Sequence, residues 1–534
     1  MSGFDQGTNP YTGEPAGPPV SHTPMEEIDR LASAAGRAAP ELAALTLERR
    51  AQLLRSAAAA LEAARDELVE LADAETGLGS TRLGGELTRT RLQLEMFADV
   101  VLEGSFLEAV IDLPDPAALP APRPDLRRVL VPIGPVAVFS ASNFPFAFSV
   151  AGGDTASAIA AGCPVVVKAH SGHPGLSVRC GQIVGAALAD DGAPSGAFAV
   201  IHGTEGGRAL VQHRAIAAAG FTGSLGGGRA LFDLAAGRPD PIPFYGELGS
   251  LNPTVVTPGA VAARGEEIAR GFVSSFTLGA GQFCTKPGLL FIPKGHGLDD
   301  ALASAAAETE VGPLLNRRIR DAYVEMSETL AATPGVRSLL EPSTVEQSGF
   351  RVPPALLAVS ATDLVDRAST LLEECFGPAA LIIEYGSTDE LDAALDAVPG
   401  SLTATLHADP DTEPELVRSL LDRFSAGAGR VIWAGWPTGV AVTWAQHHGG
   451  PWPATTSSVH TSVGVTAVRR FLRPVSYQNV PDPLLPDTLR DANPLGLPRR
   501  VNGVLHSGPI ALVPTESSAI ESVARLGRHA GNPA

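Results

Sequence analysis

Apolar residues between positions 24 and 74 recur at helical spacing. Leu53, Leu54, Leu61, Leu68 and Leu71 fall three to four or seven positions apart, with Arg and Glu on the other face, the pattern of two amphipathic helices that cover a core. A Pro/Ala-rich stretch at 114–124 (PDPAALPAPRP) marks a boundary, and 127–131 reads as a strand after it. The rhythm then changes. Segments 134–140 (GPVAVFS), 164–168 (PVVVK), 198–201 and a run ending at Phe221 read as short buried strands, while 147–161, 177–187, a stretch around Arg208 and the residues after Ser224 read as helices. A second alternating series begins near Pro253, with strands at 289–292, 380–383, 402–407 and 430–433 and helices at 265–278, 316–332, 391–398 and 413–426. Short strands alternating with helices predict βαβ units, hence an α/β protein with two doubly wound parallel-sheet domains. Beyond Arg473 the chain is rich in Pro and Asn without a strong period.

The chain has 534 residues and a formal charge of −19, with no basic run. That balance argues against nucleic acid or an anionic membrane surface as partner and favours a small-molecule enzyme. One charge-free stretch, 129–153, is long enough to span a bilayer, but Pro132, Pro135 and Pro145 break any single helix there. The polar, Pro/Gly-rich amino terminus lacks an apolar h-region, which predicts a cytoplasmic protein without a secretory signal. Cys163, Cys180, Cys284 and Cys375 lie 17, 104 and 91 positions apart, so neither a structural metal nor a disulfide framework is expected. Only three lysines occur, Lys168, Lys286 and Lys294, so a lysine beside a chemical motif stands out.

No G-x-G-x-x-G is present, and a dinucleotide, if bound, must be held differently from the ordinary Rossmann manner. Two strand ends offer the means. Lys168 ends a buried strand, where open α/β sheets hold ligands. Gly223 and Ser224 open a helix, where free backbone N–H groups meet phosphate. Taken singly, such a lysine is more often a surface charge, and a Gly-rich turn usually only a turn. Cys284, in Gly281-Gln-Phe-Cys284, follows a glycine-containing turn and lies two residues from Lys286, which would stabilise a thiolate; the bland alternative is an inert buried thiol. Glu247 stands in an apolar, Gly-flanked segment where burial would raise its pKa toward that of a general base, or it is a helix cap. Asn143, after a buried strand, can donate to an oxyanion or simply serve its turn.

Together these pieces resemble the aldehyde dehydrogenase superfamily. Asn9-Pro-Tyr-Thr-Gly-Glu14, Asn143-Phe-Pro145, Val167-Lys168, Phe221-Thr-Gly-Ser224, Glu247-Leu-Gly249, Gly281-Gln-Phe-Cys284 and Glu374-Cys-Phe-Gly-Pro378 occur in the family's order. The wording of 142–175, GWPTGV and RRFLRPVSYQNVP is most similar to the branch containing 2-oxoglutarate semialdehyde dehydrogenases and an NADP-using fatty aldehyde dehydrogenase.

The resemblance implies that Cys284 attacks an aldehyde, that Asn143 and the Cys284 N–H hold the oxyanion, and that Glu247 activates the hydrolytic water. It further implies that Lys168 and Glu374 bind ribose hydroxyls, that Phe376 packs near the nicotinamide and that Ser224 meets the pyrophosphate. Three positions after the lysine, Ser171 replaces a Glu found in many NAD-preferring relatives. NADP is therefore expected over NAD, with Arg208 as a candidate further contact. In Gln446-His447-His448 the second histidine is a candidate auxiliary base, or an ordinary turn residue. The implied layout is N-terminal helices (1–113), a first flap segment (114–132), a dinucleotide-binding domain (133–248), a catalytic domain (249–464), and a second flap segment with the tail (465–534), the flap serving a homodimer or homotetramer. The expected substrate is 2-oxoglutarate semialdehyde (2,5-dioxopentanoate), with a medium- or long-chain aliphatic aldehyde as alternative and a cofactor-free thiol hydrolase as a remote one. Arg89 and Arg91 lie on a helix placed near the substrate tunnel, with their direction open.

Overall fold

The computed structural model describes residues 3–341 and 348–510. It divides into two compact units: Met1–Ala98 with Gly134–Phe471, and Asp99–Ile133 with Leu472–Ala534.

The larger unit holds two sheets. The first has five parallel strands in the spatial order Phe198–Ile201, Val165–Lys168, Val136–Phe139, Ala218–Thr222, Phe244–Glu247. Register pairs Phe139 with both Lys168 and Phe221, and Thr222 with Glu247. The carboxyl ends of the strands therefore finish along one edge, and strand order reverses beside Val136–Phe139, where ligands of open α/β sheets bind. The helix Gly153–Ala161 is built from small residues and buried along its whole length. Sequence periodicity extends it back to 147, but the N–H groups of Phe146 and Ala147 donate to the buried Glu86 instead (2.8 and 2.9 Å), so 143–152 is turn rather than helix.

The second sheet runs Arg337–Ser338, Ala355–Ser360, Ala379–Tyr385, Leu289–Pro293, Pro253–Val256, Ser401–His407, Ala428–Trp433, parallel except for its first pair. Neighbouring residues on its strands point to opposite faces, both buried. Val255, Phe291 and Leu381 enter one apolar cluster while Val256, Leu290 and Ile382 enter the other. The amino-terminal region forms three helices rather than two, Met25–Ala43, Leu47–Ala63 and Arg65–Thr76. Thr46 caps the second by accepting from the Arg49 N–H, and Gly77 ends the third in the left-handed region (φ 60°). A fourth helix, Ser80–Glu103, follows.

The smaller unit carries a five-stranded sheet ordered Leu472–Gln478, Leu126–Pro132, Val110–Asp112, Arg499–Val501, Val504–His506. It begins at Asp99 rather than 114, since Val110–Asp112 is one of its strands, and resumes at Leu472 rather than 465. Val465–Phe471 belongs to the larger unit, where Arg470 makes a buried ion pair with Asp154 on the helix Gly153–Ala161 (2.7 Å). Among the described residues no helix is long and apolar enough to cross a membrane. The uncharged stretch 129–153 is instead spent on a strand end, a second strand and turns.

Candidate active site

Cys284 follows a tight turn, Leu278–Gly281, in which Gly279, Ala280 and Gly281 all have positive φ. A Cβ at Gly281 would overlap the Gly377 carbonyl, so only glycine lets the turn pack there. Buried Asn252 then clamps the segment: its Nδ2 donates to the carbonyls of Cys284 (2.8 Å) and Lys286 (2.9 Å), and its Oδ1 accepts from Ser250 Oγ (2.8 Å) and the Thr403 N–H (3.1 Å). Little in the sequence marks Asn252. Its only signal is its place before Pro253, three residues past Glu247-Leu-Gly249.

The structure brings Cys284, Glu247 and His448 together, with one donor atom of each lying within 4.8 Å of the others. His448 Nε2 sits 3.4 Å from Cys284 Sγ and 2.9 Å from Glu247 Oε1. Thr461 Oγ1 accepts from the His448 N–H (2.7 Å), and Ser462 Oγ donates to Glu247 Oε2. His448 is thus a member of the cluster and no ordinary turn residue; His447 lies outside it. Asn143 Nδ2 donates one hydrogen to the Gln282 carbonyl (2.9 Å), which leaves the second amide hydrogen beside the Cys284 loop.

Two electrostatic expectations do not hold in the structure. Burial works to raise the Glu247 carboxyl, but the charge of His448 and hydrogen bonds from His448, Ser462 and Cys284 outweigh it, so the group is shifted downward and stays a carboxylate. Lys286 does not serve the thiol. It is buried, and its Nζ donates to the carbonyls of Cys375 (2.7 Å) and Ala379 (2.9 Å), which ties the Cys284 loop to 375–379. Burial, followed by the charge of Glu247 and a hydrogen bond with it, pushes the Cys284 thiol well above its ordinary value; Arg89 is the cation that opposes this. At neutral pH Cys284 is a thiol that needs a base, and the bases at hand are the Glu247 carboxylate or, when its Nε2 carries no proton, the His448 imidazole. The remaining cysteines are buried, and burial raises Cys180 to about 12 and Cys375 to about 11.

The residues expected to hold a dinucleotide lie near the carboxyl ends of the five-stranded sheet or on loops of the other. Burial lowers the Lys168 ammonium, with Asp5 opposing the shift and Arg318 adding to it. Ser171 is exposed in the turn that follows. Gly223 donates its N–H to the Glu247 carbonyl (3.0 Å), and Ser224 caps the helix Leu225–Ala236 by accepting from the Gly227 N–H (3.4 Å). No neighbour stands within 4 Å of where a side chain at Gly226 would begin. The first turn of that helix therefore presents open backbone to an approaching pyrophosphate, and these residues fit a dinucleotide. Glu374 lies so close to Gly249 that a Cβ there would overlap its carboxylate, and Phe376, two residues on, is half-buried. Arg208 is exposed on the helix Thr204–Gln212 and lies 3.9 Å from Glu205 one turn back, a contact that does not turn it toward Lys168.

A family model described as "Aldehyde dehydrogenase family" matches residues 5–451. The chain is 47% identical over 501 residues to alpha-ketoglutaric semialdehyde dehydrogenase 2 of Azospirillum brasilense, covering 93% of this chain and 95% of that one. It is 43% identical to alpha-ketoglutaric semialdehyde dehydrogenase of Acinetobacter baylyi, covering 92% and 94%. In fold it is similar to a lactaldehyde dehydrogenase (TM-score 0.76, 21% identity, 89% of this chain and 96% of that one). It is also similar to aldehyde dehydrogenase C of Pseudomonas syringae complexed with NAD+ and octanal (TM-score 0.74, 22% identity, 89% and 93%).

Proposed function

The chain belongs to the aldehyde dehydrogenase family and is an NAD(P)-dependent oxidoreductase that converts an aldehyde to the acid, and from that membership we propose that its substrate is 2-oxoglutarate semialdehyde and that Cys284 is its nucleophile. The observation that carries the chemistry is the contact of Cys284 Sγ with His448 Nε2 at 3.4 Å, beside a buried carboxylate. Near-complete overlap with two semialdehyde dehydrogenases at 47% and 43% identity supports the substrate.

In this reading His448 or Glu247 takes the thiol proton as Cys284 adds to the carbonyl carbon, and Asn143 with the Cys284 N–H donates to the oxygen that becomes negative. Lys168, Gly223, Ser224, Glu374 and Phe376 would hold the dinucleotide, which when bound would supply the acceptor for the hydride that the Cys284 adduct loses on becoming a thioester. Glu247, kept ionised and aimed by Ser462, then takes a proton from water as it attacks the thioester, and Cys284 leaves as thiolate. The test is kcat/KM of the purified protein for 2-oxoglutarate semialdehyde, hexanal and benzaldehyde with both cofactors. The semialdehyde should lead, and a higher value for hexanal would replace the substrate.

NADP is the proposed preferred cofactor. A carboxylate at position 171 would accept from a ribose 2′-hydroxyl but repel a 2′-phosphate, whose charge approaches −2. Exposed Ser171 removes that repulsion and offers a donor, while Lys168 and Arg208 are the proposed cationic contacts. The expected preference is on the order of tenfold in kcat/KM, about 1.4 kcal/mol. Ser171→Glu should reverse it by raising the KM for NADP with little change in kcat, and an unmodified protein that favours NAD would refute the role of Ser171.

We also propose that the protein is a homodimer or homotetramer. The smaller unit leaves Leu472–Gln478 at one edge of its sheet, and unpaired strand edges invite pairing with a second copy. Sedimentation at micromolar concentration should show a dimer or tetramer; a monomer would contradict this.

A further inference from the structure

The helix Ser80–Glu103 places Arg82, Glu86 and Arg89 four and three positions apart, on one face. Glu86 is a brace: one carboxylate oxygen accepts from the N–H groups of Phe146 and Ala147 and fixes the turn that carries Asn143. Arg82 is a second brace. Its Nη2 donates to the Asn143 carbonyl (2.8 Å), and its guanidinium carbon lies 5.4 Å from the Phe144 ring centre and 5.1 Å from that of Phe283. Arg91, two residues past Arg89, faces elsewhere and pairs with Glu95 (2.6 Å) and Glu62 (3.4 Å).

Arg89 has no such employment. Its guanidinium carbon sits 5.4 Å from the Phe148 ring centre and 5.8 Å from that of Phe144. Its Nε and Nη2 are buried without a hydrogen-bond partner, as is Nη1 of Arg82. Glu86 is close enough for its charge to act on both arginines, yet its second oxygen is also without a hydrogen-bond partner. A buried guanidinium edge without acceptors is costly, and planar NH donors match a carboxylate. Arg89 lies near enough to Cys284 for its charge to act on the thiol. Phe144 packs on Phe283 (5.3 Å), the residue before Cys284, and Phe148 faces His448 (6.5 Å). Cys284, Phe144, Phe148, Phe283 and Arg89 are each partly accessible, as residues around an opening to the thiol would be.

We propose that Arg89 holds the distal carboxylate of a short ω-oxo carboxylate whose aldehyde carbon lies at Cys284, with the rings of Phe144, Phe148 and Phe283 enclosing its methylene groups. This deepens the substrate reading above and rests on it for the reaction, but the clamp can be tested without turnover. The probes are 5-iodopentanoate and 5-iodopentanamide, equal in length and different in charge. Each alkylates Cys284 by forming S–C as C–I breaks, iodide leaving and the thiol proton passing to His448 or Glu247. The unmodified protein should react with the anion roughly tenfold faster than with the amide, a difference of the size expected for hydrogen bonds to a charged partner. Arg89→Gln should bring the ratio to near one, Arg89→Lys should restore part of it, and Arg91→Gln should leave it unchanged.

A ratio near one in the unmodified protein, or one unaltered by Arg89→Gln, overturns the clamp. Equal slowing of both reagents by Arg89→Gln would also overturn it, since Arg89 would then act only on the acidity of the thiol. Should that variant not fold, the unmodified protein decides alone: pentanoate should protect Cys284 from iodoacetamide where pentanamide does not, and equal protection would overturn the proposal. Failure of the substrate reading would appear separately, as lack of semialdehyde oxidation with the alkylation ratio intact.

Discussion

Replacing Cys284 by Ser should lower aldehyde oxidation by roughly 10⁴-fold or more while nucleotide binding survives. The hydroxyl is a far weaker nucleophile at neutral pH, and His448 and Glu247, which can take a proton from a thiol, gain little from a group that holds its proton so much more tightly. The contrast with the other thiols makes the prediction specific. Cys163, Cys180 and Cys375 are buried, and Cys180 and Cys375 are pushed toward the neutral form by burial, so their replacement by Ser should leave kcat within about twofold. Retention of a tenth of the activity by Cys284→Ser would remove Cys284 as the nucleophile.

Glu247→Gln should separate the two halves of the reaction. With the base for water gone but His448 still 3.4 Å from the thiol, mixing with substrate and cofactor should give a burst of about one reduced nicotinamide per active site. Steady-state turnover should then be slower by roughly 10²–10⁴-fold. Loss of the burst as well would make Glu247, rather than His448, the base that activates Cys284. The pH profile carries the sign of the Glu247 shift. Burial raises this carboxyl, but His448 and the hydrogen bonds around it bring the balance below the ordinary carboxylate range. The base is therefore lost only as pH falls through a value under the ordinary one, and the acid limb of deacylation should lie below the usual carboxylate range and vanish in Glu247→Gln. An acid limb near neutrality would show that burial dominates.

The strand-and-helix alternation was legible because parallel strands buried on both faces are written as short apolar runs. Val165–Lys168 and Phe198–Ile201 stand within a residue of where VVVK and FAVI put them. The strand Ala355–Ser360 escaped notice, since Leu- and Ala-rich ALLAVS after two prolines has no period that distinguishes strand from helix. The break between Leu47–Ala63 and Arg65–Thr76 is the single residue Ala64, with no Gly or Pro to announce it. At the site, ordered motifs named Cys284, Glu247 and Asn143, but partners were harder to read than identities. Lys286 is two residues from Cys284 in sequence, yet its ammonium is taken by two carbonyls. A cation that does act on the thiol, Arg89, comes from 195 positions away. Likewise the sign of the Glu247 shift depends on His448 and Ser462, which only the fold brings to it.

The most direct measurement is mass spectrometry of the Glu247→Gln protein quenched soon after mixing with NADP and 2-oxoglutarate semialdehyde. The expected result is a single acyl group on the peptide that contains Cys284, formed in step with the burst of reduced nicotinamide and removable by hydroxylamine. Reduced nicotinamide without an acylated Cys284 peptide, or acylation of another cysteine in its place, would contradict covalent catalysis at Cys284.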